Sequence, residues 1–207
     1  MSRGAVRRLG VVLLLAGLGL LGWAGWQYFG TALTSNHRMD QAETRLRDQW
    51  KAPAKTTTTA GTPLVLLRIP RFGKDWQRPV VEGVGKNDLT RGIGHYPRTQ
   101  LPGEPGNFAV AGHRVTHGSP FGKLLDLRKG DQVIVETADA IYTYELDASP
   151  RDLTVKPTDT WVLEPVPGKP RETPTKSVIT LTTCQDLFHS PDRSVAFGQL
   201  VRVDKKG

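Results

Sequence analysis

The segment Ser177–Arg193 decides how the rest of the chain is interpreted, and it runs S-V-I-T-L-T-T-C-Q-D-L-F-H-S-P-D-R. Its first half combines β-branched and apolar residues with threonines, a pattern typical of a strand. The strand ends on Cys184, the only cysteine among 207 residues, and Arg193 follows after a polar loop. A lone thiol near a cation suits a nucleophile. A free cysteine is also often a small buried side chain, so this segment alone leaves both interpretations open.

The distribution of charge argues against a nucleic-acid-binding protein. The formal net charge is +8, but residues 1–59 hold eight Lys and Arg against three Asp and Glu, and residues 60–207 hold twenty against seventeen. We find no basic stripe with interleaved aromatic residues. A single cysteine also excludes an intramolecular disulfide and any CxxC metal or redox motif.

The N-terminal region predicts a membrane anchor. Three arginines precede Leu9–Phe29, which is 21 residues long, carries no charge and has aromatic residues near its far end. At about 1.5 Å per residue this run is long enough to cross a hydrocarbon core of roughly 30 Å. A cleaved signal peptide is the alternative, but its apolar region is shorter, about 7–15 residues, and no A-x-A site follows here. We therefore expect residues 1–8 to be cytoplasmic, residues 9–29 to span the membrane and the C-terminal domain to lie outside the cell, although arginines after the run weaken the orientation signal.

Residues 30–62 are predicted to form a polar stalk and linker between the anchor and a globular domain. Ser35–Trp50 is mostly polar, with Ser35 or Asn36 as a possible helix cap. Lys51–Thr62 has no apolar periodicity and is typical of a flexible tether. The domain is expected to occupy residues 63–207.

Short apolar runs separated by turn signals dominate the predicted domain. We expect strands at Leu64–Ile69, Pro79–Val84, Asn107–Ala111, Gln132–Thr137, Ile141–Leu146, Val178–Cys184 and Gly198–Val203. One short helix fits within residues 84–94, and the Pro-rich segment Leu153–Pro174 predicts a long surface loop. This spacing of strands, with little helix, favours an all-β barrel or sandwich.

A histidine joins the cysteine as a candidate for catalysis. His113 follows the apolar run in G-N-F-A-V-A-G-H-R, residues 106–114, so it too is expected at a strand end. A thiol nucleophile needs a proton donor for the leaving amine and a donor for the developing oxyanion, and His113 and Arg193 are of those types. Taken singly, a histidine such as His113 is more often structural than catalytic, and an arginine such as Arg193 is more often a plain surface charge. The sequence does not rank His113 above the other histidines, His37, His95, His117 and His189.

These motifs resemble those of the sortases. T-L-T-T-C, residues 180–184, followed by Arg193, is similar to the sortase signature, and the segment with His113 is similar to the one that carries the sortase histidine. Together with G-H-Y-P at residues 94–97, they most resemble class E sortases of actinobacteria. The resemblance implies an eight-stranded sortase-type β-barrel with one or two short helices, preceded by a single transmembrane helix.

The resemblance also implies a cysteine transpeptidase. Cys184 would attack the Thr–Gly bond of a C-terminal sorting signal, of L-A-x-T-G type, on a secreted protein. His113 would protonate the leaving amine, and Arg193 would bind the substrate backbone and the oxyanion. An amine of a peptidoglycan precursor, or a pilin lysine, would then release the product. Further residues expected to line the substrate groove are Tyr96, Ala111, Thr182 and Thr183.

Some features fall outside this resemblance or compete with it. Asp186 stands where class E sortases often have proline, two residues after the cysteine. No cofactor is implied, and Glu82, Asp88 and Glu104 are too dispersed to indicate a metal site. Two rival functions remain at this point: a non-catalytic membrane-tethered barrel that binds wall polymers or envelope proteins, and a thiol hydrolase that transfers the acyl group to water.

Overall fold

A computed structural model describes residues 3–26, 30–51, 59–184 and 191–207, with the backbone alone described at Cys184. The helices are α1 (Arg3–Gly25), α2 (Thr31–Lys51) and α3 (Lys86–Leu89). Short 3-10 turns lie at Pro70–Phe72, Leu124–Asp126 and Thr160–Leu163.

Helix α1 is a candidate membrane span by its length and composition. It has 23 residues, and none of them is buried against the rest of the protein. A helix of this length whose side chains are mostly apolar and not buried by the protein has the properties of a membrane span. The last residues of the predicted anchor, 27–29, lie outside the described part of the chain.

Nine strands are found in the described residues. They are β1 (Pro63–Arg68), β2 (Gln77–Glu82), β3 (Ile93–His95), β4 (Gly106–Ala111), β5 (Gln132–Glu136), β6 (Ala140–Leu146), β7 (Thr154–Val155), β8 (Ser177–Cys184) and β9 (Arg193–Lys205). Strand β3, only three residues long, was not predicted from the sequence. The short helix expected within residues 84–94 is present as α3.

Eight of these strands close into a barrel. The strand order is β6-β5-β1-β2-β3-β4-β8-β9, and a further pairing between β9 and β6 joins the two ends. The eight-stranded barrel with few helices is therefore confirmed. Closure satisfies the backbone groups that an open sheet would expose at its edges.

Strand β9 has 13 residues because it pairs with three different strands. Along one side it runs antiparallel to β8, from Cys184 opposite Arg193 to Val178 opposite Gln199. On its other side, the first residues pair with β7 and the residues from Gly198 onward pair with β6. The sequence prediction found only the second half of this strand, from Gly198 to Val203.

The barrel interior is filled by aliphatic and aromatic side chains from alternate strand positions. Buried residues of the largest volume include Phe108 on β4, Leu67 on β1 and Phe121 in the loop after β4. All six residues of β4 are buried, because it lies between β3 and β8 with both faces covered. A strand in that position is held firmly enough to place whatever follows its last residue.

Helix α2 packs on the outside of the barrel against β1 and β2. Its buried residues, Ser35, Met39, Ala42 and Leu46, recur at the spacing of a single helical face. This face is narrow, and the rest of α2 is polar. Part of the segment predicted as a stalk is thus a helix seated on the domain, while residues 52–58 of the predicted linker lie outside the described part.

A buried tyrosine ties two distant parts of the barrel together. Tyr144 on β6 is 0% exposed, and its hydroxyl accepts a hydrogen bond from the Gly103 N–H at 2.9 Å. The same hydroxyl hydrogen-bonds Ser177 Oγ, at the start of β8, at 3.1 Å. Removing it leaves two polar groups unpaired inside the barrel.

We therefore expect Tyr144→Phe to lower the free energy of unfolding by about 1–3 kcal/mol, because the Gly103 N–H and the Ser177 hydroxyl lose their partner. Tyr142→Phe, two residues away on the same strand, is the matched control and should change stability by less than about 0.5 kcal/mol. Urea unfolding followed by tryptophan fluorescence measures both. Equal losses for the two variants would contradict the role given to Tyr144.

Candidate active site at the β4–β8 edge

Parallel pairing of β4 with β8 brings the predicted histidine and cysteine to one edge of the barrel. The register runs from Gly106 opposite Ser177 to Ala111 opposite Thr182. His113 and Cys184 each follow that last pair by two residues in the same direction. Residues that are 71 positions apart in the chain are therefore brought to the same end of two hydrogen-bonded strands.

Arg193 is brought to the same edge from the other side of β8. It is the first residue of β9 and lies opposite Cys184 in the antiparallel β8–β9 ladder. Residues directly opposite in such a ladder have Cβ atoms about 4.5–5.5 Å apart. Cys184 thus has the strand of the histidine on one side and Arg193 on the other.

Three backbone contacts hold the segment that carries His113. The Gly112 N–H donates to the Thr182 carbonyl at 3.1 Å, and Thr183 Oγ1 donates to the Gly112 carbonyl at 2.8 Å. The Phe121 N–H donates to the His113 carbonyl at 2.9 Å. A Cβ at Gly112 would lie 2.7 Å from the Phe121 ring, so glycine is required for this close packing.

The His113 ring is partly buried and its Nε2 has no hydrogen-bond partner within the described residues. It stacks on His117, with ring centroids 4.6 Å apart and an interplanar angle of 24°. The pKa of His113 is lowered from 6.5 to about 4, mainly because the ring is buried and to a smaller extent because His117 lies nearby. The ring is therefore neutral at pH 7, with one buried nitrogen that faces no described polar group.

The structure separates His113 from the competing histidines. His95 is 3% exposed and has partners on both nitrogens, Glu82 at 2.7 Å and Thr99 at 2.9 Å, as expected of a structural histidine. His37 is exposed on α2 and hydrogen-bonds Gln41 within the helix. His117 touches His113 itself, and His189 lies outside the described residues.

Beside these residues lies a cavity of about 130 Å³ between the barrel and the β7–β8 connection. Tyr96, Thr182 and Arg193, all predicted from the sequence, line one side of it. The other side is lined by Val155, Lys156, Pro157, Asp159, Thr160, Val162 and Leu163. Ala111 and Thr183, also predicted for the groove, are buried near the same edge but are not among the residues that line this cavity.

A hydroxyl chain fixes the floor of the cavity. Thr182 Oγ1 donates its proton to the Val110 carbonyl at 3.3 Å. The 3.1 Å contact between Tyr96 and Thr182 must then have the tyrosine hydroxyl as donor, because Thr182 has one proton only. Tyr96 is thereby oriented across the β3–β4–β8 edge.

Arg193 faces its own loop in this structure. Its Nη1 donates to the Pro191 carbonyl and to the Asp192 carbonyl, the latter at 3.4 Å. A guanidinium has five N–H donors, so these contacts leave others available toward the cavity that Arg193 lines.

The sequence prediction did not identify the residues of the β7–β8 connection as part of the site. Residues 153–174 were predicted only as a loop, from their prolines. The turn signal at Pro157 and Asp159, where the Lys156 N–H bonds Asp159 at 2.7 Å, was visible, but it does not indicate which surface the loop covers. Asp186, the remainder of the loop 185–190 and the Cys184 side chain lie outside the described part.

No group of three or more His, Cys, Asp or Glu side chains capable of holding a metal comes together in the described residues. The polar groups of the described site residues predicted from the sequence are an imidazole, a guanidinium and hydroxyls. The arrangement is chemically suited to nucleophilic and acid–base work on a carbonyl group.

A closed β-barrel that brings a histidine, a cysteine and an arginine to neighbouring strand ends is the arrangement expected of a sortase. Comparisons with known proteins agree with this class. The sortase domain family matches residues 67–201. Sortase SrtE1 of Streptomyces coelicolor is 34% identical over 206 residues, which are 95% of this chain and 57% of that protein. The chain thus spans little more than half the length of this relative.

Solved structures show the same fold. Sortase E from Streptomyces avermitilis superposes with a TM-score of 0.63 at 39% identity, over 71% of this chain and 93% of that one. Sortase E1 from Streptomyces coelicolor, solved with a tripeptide in its active site, gives 0.61 at 31% identity over 72% and 94%. The chain belongs to the sortase family, whose members are cysteine transpeptidases, and its relatives include class E sortases of actinobacteria.

The lowered pKa of His113 predicts a pH-dependent stability. With pKa values of about 4 in the folded state and 6.5 in the unfolded chain, the unfolded state binds more protons between these pH values. Stability contributed by neutral His113 is fully present above pH 6.5 and decreases as the pH falls toward 4. After screening by solvent, we expect a loss of roughly 1–2 kcal/mol over this window.

His113→Gln should remove this part of the pH dependence, because glutamine does not titrate. His37→Gln, at an exposed histidine on α2, is the control and should leave the dependence as in the wild type. Urea unfolding at pH 7, 5.5 and 4 measures it for all three proteins. An unchanged slope for His113→Gln would show that another group is responsible.

Proposed function

We propose that this protein is a membrane-anchored sortase of class E type that cleaves a C-terminal sorting signal between Thr and Gly. The observation that carries the proposal is the strand register. It aligns Arg193 with Cys184 across one ladder and ends the His113 strand beside Cys184 across the other. These three side chains supply a nucleophile, a proton carrier and an oxyanion donor.

In the first half of the reaction, Cys184 Sγ forms a bond to the threonine carbonyl carbon and the Thr–Gly C–N bond breaks. The thiol proton passes to His113 and from there to the departing glycine amine. A neutral His113, with its pKa lowered to about 4, is in the correct state to accept that proton at pH 7. Nε2, which has no partner within the described residues, is the nitrogen proposed for the transfer.

Arg193 stabilises the negative charge that develops on the carbonyl oxygen. Its backbone lies opposite that of Cys184, which supports this role for a permanently charged donor, because hydrogen bonds to charged acceptors are stronger than neutral ones. The Pro191 and Asp192 carbonyls accept hydrogen bonds from the guanidinium.

The cavity lined by Tyr96, Thr182 and Arg193 is the proposed site for the sorting signal. The cavity, of about 130 Å³, is proposed to take one side chain of the signal, such as the alanine of the L-A-x-T-G signal that the resemblance to class E implies. The tripeptide seen in the active site of the Streptomyces coelicolor relative supports a peptide ligand here.

In the second half, an amine resolves the thioacyl enzyme. Its nitrogen attacks the thioester carbonyl, the C–S bond breaks, and the amine proton returns through His113 to the thiolate, so that a new amide replaces the original one. A peptidoglycan precursor, or a pilin lysine, is the proposed donor of this amine, and secreted proteins with a sorting signal are the proposed substrates.

The proposed transpeptidase activity is tested with fluorogenic L-A-x-T-G and L-P-x-T-G peptides and the full chain in detergent. Wild type should form a thioacyl adduct, detected by mass spectrometry, and should prefer L-A-x-T-G. Cys184→Ala should form none, and Arg193→Ala should lower kcat/KM by about 100-fold or more, as for loss of an oxyanion donor. Arg202→Ala, an exposed arginine farther along β9, is the matched control and should retain activity.

Product identity separates the rival functions. Added glycine or a diaminopimelate-type amine should appear in the product of a transpeptidase, whereas a hydrolase releases the free acid regardless of amine. If no peptide of either type yields an adduct with wild type, the catalytic function is wrong and a binding barrel becomes the better interpretation.

Helix α1 is proposed to hold the domain at the outer face of the cell membrane. Its length and its complete lack of buried residues support a span, and the arginines before the apolar run support a cytoplasmic N-terminus. The full chain should therefore fractionate with membranes and resist carbonate extraction, and its domain should be accessible to protease from outside. A mature N-terminus beyond residue 30 would instead indicate a cleaved signal peptide.

A further inference from the structure

The loop after His113 has an unusual backbone. His117, Gly118 and Ser119 are consecutive residues with φ angles of 55°, 76° and 47°. The left-handed region costs a non-glycine residue of order 1–3 kcal/mol, so such a conformation persists only when the surroundings impose it. This loop is therefore shaped by what packs against it.

Helix α2 is the element that packs there. A Cβ at Gly118 would lie 2.5 Å from Asn36 Oδ1 and 2.7 Å from Met39 Cε, so the loop backbone is pressed directly onto the helix. Met39 is 3% exposed. The φ angle of 76° favours glycine at position 118.

Arg38, on the same helix, reaches the neighbourhood of His117. Its Nη1 donates to Thr90 Oγ1 at 2.9 Å, which holds the guanidinium between α2 and the barrel. The pKa of His117 is lowered, mainly because the ring is partly buried and to a smaller extent because of the positive charge of Arg38. The side of His117 that faces α2 is thus next to a fixed positive charge.

The other side of His117 faces the proposed catalytic histidine. The two rings stack at a centroid distance of 4.6 Å, and His117 Nδ1 contacts Thr116 Oγ1 at 2.9 Å. A contiguous series of contacts therefore leads from the helix that follows the membrane anchor, through His117, to His113. Nothing in the motifs of the sequence distinguished His117 for such a role.

We propose that His117, supported by Met39 and Arg38 of helix α2, is a positioning residue that fixes the ring orientation and the charge state of His113. The proposal rests on the proposed role of His113 as proton carrier. His117 touches no substrate in this scheme and acts only through its neighbour. Helix α2 then belongs to the support of the active site, in addition to linking the domain to its anchor.

The proposed effect on the charge state of His113 follows from the charged groups around the His113 and His117 rings. Arg38 faces His117 from α2, Arg114 is the chain neighbour of His113, and Cys184 and Arg193 reach the same edge from β8 and β9. No carboxylate appears among the groups that shift the pKa of either ring within the described residues. When His117 becomes protonated at acid pH, its charge disfavours a second positive charge on His113.

The first experiment compares His117→Phe with His117→Ala in the full chain in detergent. Phenylalanine keeps the stacked ring but cannot carry charge, so kcat at pH 7 should stay within about threefold of wild type. Alanine removes the stack, and kcat should fall by about 10- to 100-fold with little change in KM, since a misplaced catalytic group costs rates of this order.

Histidine-selective NMR titration gives a readout that does not depend on turnover. His117→Phe should raise the pKa of His113 above its value of about 4, yet leave it below 6.5, because burial is the larger cause of the shift. Arg38→Gln should raise the pKa of His117 while that of His113 stays the same or falls. Arg47→Gln, which only breaks a pair with Glu43 on the helix surface, should change neither.

Substitutions at two buried residues of α2 distinguish support of the loop after His113 from a general effect on stability. Met39→Ala removes the contact under Gly118. The His113 ring should then be mispositioned, and kcat should fall several-fold. Leu46→Ala, at a residue 2% exposed on the same face but seven residues along, should lower stability without lowering kcat. Thermal unfolding of each variant identifies any that fail to fold.

The proposal is overturned if His117→Phe leaves the pKa of His113 unchanged, or if His117→Ala retains wild-type kcat. It is also overturned if Met39→Ala and Leu46→Ala affect kcat equally. A wild-type protein that processes no sorting-signal peptide would overturn the proposed function instead, and the NMR titrations would still decide whether His117 controls His113.

Discussion

The hydrogen-bonded ladder between β4 and β8 is the interaction on which the candidate active site depends. Its register from Gly106 opposite Ser177 to Ala111 opposite Thr182 is what brings distant motifs to one edge. A parallel pair needs a long connection, and here that connection contains three further strands. Closure of the barrel by β9 against β6 holds this connection in place and fixes where Arg193 begins its strand.

Much of this arrangement could be predicted from local sequence, and the reason is physical. Strand runs such as 64–69 and 178–184 are apolar or β-branched and end at turn residues, so their existence depends on neighbouring residues alone. The parallel pairing of β4 with β8 cannot be derived from spacing, because no rule of sequence separation selects partners. Resemblance to a known family implied an eight-stranded barrel and the candidate site residues, whereas the pairing and its register come from the structure.

The features that the sequence did not reveal depend on contacts that are far apart in the chain. Strand β3 has three residues, too few for any periodicity, and is a strand only because β2 and β4 flank it. The apolar face of α2 is one residue wide in each turn, so a mostly polar composition hid it. The β7–β8 connection lines the cavity because of where the barrel places it, and its own residues signal only turns.

Placing α2 next to the His113 loop changes how the proposed membrane anchor relates to the proposed active site. A flexible stalk would transmit nothing between the membrane and the domain beyond their distance. Helix α2 packs under Gly118, and its Arg38 acts on His117. The position of α2 on the barrel is therefore proposed to affect the geometry of His113, the proposed proton carrier. Any force or contact that displaces α2 from β1 and β2 would also release a loop whose left-handed residues persist only under that packing. Under this proposal, the part of the chain nearest the proposed anchor also supports the geometry of the candidate active site.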